Sequence, residues 1–187
     1  MAGASFEIDS AEVRSAIGQV VHALGNPAPL FQIIIEYLHR AHRNRFIAQR
    51  SPDNKAWQAL SPRYLRRKHK HRNKILRLRG HLVNSLRGQS DDAGLEFGTD
   101  RVYGAIHHFG GDIKKSAAKR EVFFKRTKAG VGNRFVKKAS SNFAQQVNVG
   151  AHSITMPARP WLGTSKKDNE QILLKTQRYL QKALAKR

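Results

Sequence analysis

The sequence predicts an α+β fold. Long N-terminal helices and a C-terminal helix pack on a small antiparallel sheet, and a basic hairpin arm extends from it. Three observations carry this reading. Apolar residues recur at helical spacing before Arg50 and again after Lys166. Short runs with strand-like alternation occupy the middle, as at Leu95 and Phe97. Between Lys114 and Lys138, ten Lys/Arg face the single Glu121 and flank a glycine-containing turn.

Asp9 and Glu12 have capping-box spacing, and Val13, Ile17, Val20, Val21 and Leu24 then share one helical face until Gly25-Asn26-Pro27 stops it. Pro29 suits the first turn of a second helix, from Leu30 to about Arg50. Its apolar face is Leu30, Ile34, Leu38 and Ala41, widened by Phe31, Ile33, Ile35 and Tyr37. Burial is expected there, with emergence into solvent at His42-Arg43-Asn44-Arg45. Ser51-Pro52-Asp53-Asn54 reads as a turn with proline in second place, after which Trp57 and Leu60 are expected to anchor the loop on the core. Ser61-Pro62 has the form of a helix start and leads into a basic block.

Further on, Ile75 to Leu86 reads as a helix burying Leu76, Leu78, Leu82, Val83 and Leu86, although Gly80 interrupts it. Gly94 to Thr99 is a short strand, and Val102 to Phe109 fits a strand end or a short helix stopped by Gly110-Gly111. Residues 121–125 and 134–137 flank the turn at Lys128–Asn133 as the two sides of a long basic hairpin. Gln145–Val149 and His152–Met156 are short strands. Thr164 and Ser165 offer capping hydroxyls to a last helix whose buried side is Ile172, Leu173, Tyr179, Leu180 and Leu184. Three regions follow: an acidic helical extension (1–27), an α+β domain (28–187), and within it a basic insertion (112–150).

Charge is the dominant compositional fact. The 187 residues carry a net charge of +22, unevenly placed. Residues 1–38 hold Arg14 against Glu7, Asp9, Glu12 and Glu36, a net of −3; the rest holds +25. Nine Lys/Arg and no acid lie between Arg63 and Arg79. Such a surface suits a polyanion or an acidic protein. The chain has no Cys, so disulfides and thiolate metal sites are excluded. No apolar run approaches the roughly 20 residues of a membrane-spanning helix. The first residues lack a signal-peptide pattern, so residence in a cytoplasm until assembly is expected.

The residues offer little catalytic chemistry. His69 with His71, and His39 with His42, have metal-like spacings, but positive charge surrounds them and ordinary surface histidines are expected. His107 and His108 sit among apolar residues and suit a structural role. Asp91 and Asp92 are adjacent and read as a turn, and Gly130-Val131-Gly132 lacks a phosphate loop's strand–turn–helix context. The chain reads as a non-enzyme with no cofactor and no metal.

The Met156-Pro157-Ala158-Arg159-Pro160-Trp161-Leu162-Gly163 segment is the most distinctive stretch. Its prolines remove two backbone donors and bias Met156 and Arg159 toward extended geometry. Before it, in order, stand Ser51-Pro52-Asp53, Trp57, Leu60-Ser61-Pro62, Arg79-Gly80-His81-Leu82, Phe97-Gly98-Thr99, Tyr103-Gly104-Ala105-Ile106-His107 and Phe109-Gly110. Together these resemble the phage virion morphogenesis family, which includes the tail-completion proteins of P2-like phages and the G protein of Mu-like phages. The resemblance runs from about residue 30 to 187. The family usually has Gly where Asn54 stands, Thr at Arg79 and Ala at Gly104; the acidic helix and basic insertion look particular to this chain.

The resemblance implies a virion structural protein of the head–tail junction, a tail-completion or terminator-type ring of this chain, commonly a hexamer. It would sit between tail tube and neck or connector proteins, with nonspecific contact to genomic DNA, no membrane, and host cytoplasm as the place of assembly. In that setting Arg159, Pro160 and Trp161 are assigned to a subunit or partner contact, since buried Trp and Arg dominate interfaces; core packing is the equal alternative for Trp161. The basic residues Arg63, Arg66, Arg67, Lys68, Lys114, Lys115, Lys125, Arg126, Lys137 and Lys138 are assigned to docking or DNA. The alternatives are a sequence-nonspecific nucleic-acid-binding protein and a transient virion assembly factor.

Overall fold

The computed structural model describes residues 4–5, 10–25, 27–91 and 94–184. It divides into two units, Met1–Gly111 with Pro157–Arg187, and Asp112–Met156. The first contains β1 (Ala4–Ser5), α1 (Ala11–Leu24), α2 (Ala28–Ala48), α3 (Pro62–Arg67), α4 (His81–Asn84), β2 (Leu86–Ser90), β3 (Leu95–Thr99), α5 (Tyr103–Phe109) and α6 (Lys166–Leu184). The α+β class expected from the sequence is the one found.

Helix α2 is the axis of this unit. Leu30, Phe31, Ile34, Ile35, Leu38 and Phe46 are buried along it, whereas Ile33 is exposed. The apolar stripe meets an antiparallel sheet of order β1-β3-β2, in which Gly88 pairs with Phe97 and Leu86 with Thr99. At Gly88 the sheet lies close against the helix. A Cβ there would lie 2.5 Å from Ile35 Cγ2, so only glycine lets the strand lie this near α2. Helix α6 packs on α2, and α1 packs on α6.

Several expectations change. Capping of α1 comes from Ser10, whose hydroxyl accepts from the Val13 amide at 3.4 Å; Asp9 lies outside the described residues, as do the side chains of Val20, Val21, Leu24 and Leu184. Val13 on α1 is only 1% exposed and belongs to the hydrophobic core. Helix α2 does not emerge into solvent at its basic end: His42 is fully buried and Arg45 nearly so. The helix expected over 75–86 is reduced to α4, because Leu76 (φ 55°) and Gly80 (φ 81°) adopt left-handed geometry that breaks a helical path. Leu86 belongs to β2, and the chain before Gly80 is held by Gln49, which accepts from the Ile75 amide and donates to the Asn73 carbonyl. The region 103–109 resolves to helix.

The second unit contains β4 (Gly111–Lys115), β5 (Ala118–Phe124), β6 (Arg126–Thr127), β7 (Gly130–Val131), β8 (Phe143–Val149) and β9 (His152–Met156), paired as β4-β9, β5-β8 and β6-β7. The long arm exists, but with different partners. Strand β5 pairs with β8 in register Phe124↔Phe143 to Ala118↔Val149. Residues 134–137 form no strand; they touch β5 through the Val136 amide on the Phe123 carbonyl. Sequence proximity favoured the nearer segment, whereas the tip is closed by the two-residue strands of β6-β7. The unit ends at Met156 because β9 completes a pair with β4.

Replacing Gly88 by Ala should lower stability by about 1–3 kcal/mol through overpacking against Ile35. Urea denaturation checks this; an unchanged midpoint would show that the strand can move away from α2 at no cost.

Candidate functional site

The proline-bracketed segment is bound into the first unit along its length. The Arg159 amide donates to the His107 carbonyl, and its guanidinium donates to the carbonyls of Gln58 (2.8 Å) and Ala59 (3.2 Å). The Trp57 indole donates to the Pro160 carbonyl at 2.8 Å, and the Trp161 indole to that of Gly104 at 3.3 Å. His108 Nδ1 accepts from the Trp161 and Leu162 amides, both at 3.3 Å. That acceptor role requires a neutral ring, and burial holds the His108 pKa below the ordinary histidine value. Each side chain that reaches the segment satisfies a backbone group that proline geometry leaves outside regular structure.

A buried polar cluster locks the far end. Arg45, from the last turns of α2, donates to the carbonyls of Trp161 (3.3 Å) and Gly163 (2.7 Å) and pairs with Asp168 at 2.7 Å. Asp168 also accepts from the Ser165 amide and hydroxyl, while Ser165 Oγ accepts from the Asp168 amide, a reciprocal cap on α6. Tyr37 completes the set by donating to Asp168 Oδ1 at 2.8 Å. Burial alone would raise the Asp168 pKa, but the Ser165 and Tyr37 hydrogen bonds and the Arg45 charge together bring it below the usual carboxylate value. Burial raises the Tyr37 pKa, as does the adjacent carboxylate. Behind this cluster His42 Nδ1 donates to the Leu38 carbonyl (2.7 Å) and the ring lies against Phe97; burial, then the Arg45 charge, lower its pKa to about 4.

The candidate residues thus fall into different classes. Trp161 is 0% exposed and Arg159 5%, with Trp161 against Phe46 and His108; the geometry is that of core packing, the alternative reading for Trp161. An indole without exposed surface cannot be presented to a neighbour, so of the three segment residues only Pro160 is open to one. Trp57 is buried edge-on to Phe46, and Leu60 is half-buried. Arg63, Arg66 and Arg67 are exposed on α3, as are Lys114, Lys115, Lys125, Arg126, Lys137 and Lys138 in the second unit. Lys68 is the correction in this group. It is 3% exposed and its ammonium donates to the Lys74 carbonyl, fastening the basic loop instead of facing DNA. The surface role expected for His42 is overturned by its burial, whereas His69 and His71 are exposed.

Sequence reasoning missed Arg45, Asp168 and Tyr37. The one available signal was the Ser165-x-x-Asp168 spacing, a capping pattern; nothing local marks Arg45 as buried among the basic residues of α2.

Among the described residues no group of three or more His, Cys, Asp or Glu could hold a metal ion, and no helix is long and apolar enough to cross a membrane. What the chain offers is a rigid, internally stitched domain and a separate, strongly basic β-structure, the attributes of a binding and assembly protein. The model of the phage virion morphogenesis family matches residues 8–181, and the chain belongs to that family. Its role is therefore that of a phage virion structural or assembly protein, working with other virion proteins. No curated protein matches the chain, and no solved structure does.

Removing one partner of the buried pair, Asp168→Ala or Arg45→Ala, should cost about 3–5 kcal/mol, because the other charge is left uncompensated; denaturant unfolding measures it, and a loss under 1 kcal/mol would contradict the buried geometry. A second expectation concerns pH. His42 binds its proton near pH 6.5 when unfolded and only near 4 when folded, so its contribution is present above 6.5 and lost as pH falls toward 4. The full effect is on the order of 3 kcal/mol. His42→Gln should flatten the pH dependence of stability across that window; an unchanged slope would assign it to other groups.

Proposed function

We propose that this chain is a head–tail junction protein, a tail-completion or terminator-type ring of six copies, that joins the tail to the neck. The observation that carries this reading is family membership over nearly the whole chain, joined to an architecture that separates a stitched domain from a basic arm. A ring needs a rigid body that repeats and a projecting element that reaches another component. The first unit, with its buried ion pair and satisfied proline segment, suits the repeating body. The exposed cations on α3 and on the arm suit docking to acidic protein surfaces and nonspecific proximity to DNA in the lumen. Arg159 and Trp161 act in this scheme from inside the protomer. They hold α5 and the loop after Trp57 in place, while Pro160 is the part a neighbour can touch.

A second reading, a transient assembly factor, is favoured by no specific observation; a plain nucleic-acid binder is favoured only by net charge.

Quantitative mass spectrometry of purified particles tests the proposal. A copy number of a small ring relative to the major tail protein is expected. Absence from finished particles would overturn the junction role. Replacing residues 113–155 by a short Gly-Ser linker should leave the first unit folded, by circular dichroism and thermal melting, while heads and tails no longer join. Full joining by that variant would remove the arm from the mechanism.

A further inference from the structure

Residues 112–156 form about 45 residues of β-structure with no fully buried side chain. Each of its three sheets has two strands. Two-stranded sheets are marginal alone, and units this small ordinarily depend on disulfides, metals or association. The chain has no Cys, and no metal-binding group occurs among the described residues. Association is the remaining source of stability.

The β5-β8 register shows where it acts. Residues directly opposite in an antiparallel pair share a face. One face carries Val122, Phe124, Phe143, Val147 and Val149, with Arg120 its one charged strand residue. At its tip end Phe135, 74% exposed, packs on Phe124 with ring centroids 5.2 Å apart, and Arg126 lies over the Phe143 ring. The opposite face carries Lys119, Glu121, Gln146 and Asn148 around Phe123, over which Lys138 is placed. An arm built only to neutralise phosphates needs cations on its contact face, not a valine and phenylalanine sheet. The five apolar residues of this face are half-buried and the exposed Phe135 ring extends it, and an apolar face left partly open to solvent marks a protein contact.

Charge then selects the partner. The arm has a net charge of +8 and the remainder of the chain +14, in which the acidic stretch 1–38 contributes only −3, so docking on a second copy would bring together two surfaces that are basic on balance. We propose that the Val122–Phe124/Phe143–Val149 face of the arm docks on an acidic surface of a different virion protein, the apolar face supplying contact area and the surrounding cations the charge match. This deepens the junction reading and rests on it.

The absence of native Cys permits a clean test. Gln145 and Gln146 are adjacent and both exposed, but Gln145 pairs with Val122 on the apolar face and Gln146 with Glu121 on the polar one. Single variants Gln145→Cys and Gln146→Cys should react with maleimide at similar rates in the free chain. In purified particles assembled with each variant, Gln145→Cys should be protected tenfold or more and Gln146→Cys little. Benzophenone-maleimide at position 145 should then cross-link to an acidic protein other than this chain. Equal labelling of the two positions in particles would overturn the proposal. So would a cross-link to another copy of the chain, or protection removed by nuclease treatment. A chain missing from the particles fails differently, since it refutes the junction reading itself and the docking with it.

Discussion

The Arg45–Asp168 pair is the interaction on which the first unit depends. It joins three stretches distant in sequence: the end of α2, the segment from Trp161 to Gly163, and the first turn of α6. A buried ion pair is a poor source of net stability compared with apolar packing, because desolvating two charges offsets most of their attraction. What it does well is fix geometry. Arg45 satisfies two carbonyls that the proline segment leaves exposed, and Asp168 can accept from Ser165 and Tyr37 only when α6 begins where it does. A hydrophobic substitute could fill the volume, but it would leave those carbonyls without donors and the Ser165 amide and hydroxyl without their acceptor. The pair therefore sets where the last helix starts, and through it where α1 can pack.

The arrangement also explains why a chain this basic can keep a compact core. Its positive charge is spread over α3, the loop after it and the arm, where side chains are exposed. The cationic groups taken inside, Arg45, Arg159 and Lys68, all end on backbone carbonyls or a carboxylate. Burial lowers the pKa of each. The buried histidines follow the same logic with the opposite outcome: His42 and His108 stay neutral, so they add no charge to the interior.

Legibility in the sequence divides along physical lines. Features set by local chemistry were readable: the Ser51-Pro52-Asp53-Asn54 turn, closed by the Asn54 amide on the Ser51 carbonyl, the stop at Gly110, and strands at 95–99 and 152–156. The Asn54 backbone has φ 61°, a left-handed geometry that glycine adopts freely and that asparagine tolerates better than most residues. Features set by distant partners were not. Arg45 lies within His42-Arg43-Asn44-Arg45, a run that reads as solvent-facing, and only the arrival of Asp168 makes its burial tolerable. Lys68 sits in a run of cations and differs from its neighbours solely through the Lys74 carbonyl. The arm's pairing was misjudged for a related reason: loop closure favours the nearer segment 134–137, but β8 offers seven paired positions and an apolar face to match.

That last comparison bears on how the two units divide their work. The first unit is complete in itself, with its core closed around Leu30, Ile34, Leu38, Phe97, Trp161 and Ile172. The second holds regular strands yet closes no core, and five of the apolar residues of its longest hairpin lie on one face, with Phe123 on the other. Chance composition would scatter them over both faces, since strand formation alone requires only β-propensity and not segregation. Segregation lowers free energy only where something covers the face. Long exposed strands with open edges are also an aggregation hazard, which the lysines and arginines at the ends and tip of the arm counter by mutual repulsion. The same charges that keep arms apart before assembly leave an acidic protein surface as the partner for which both the charge and the apolar area are favourable.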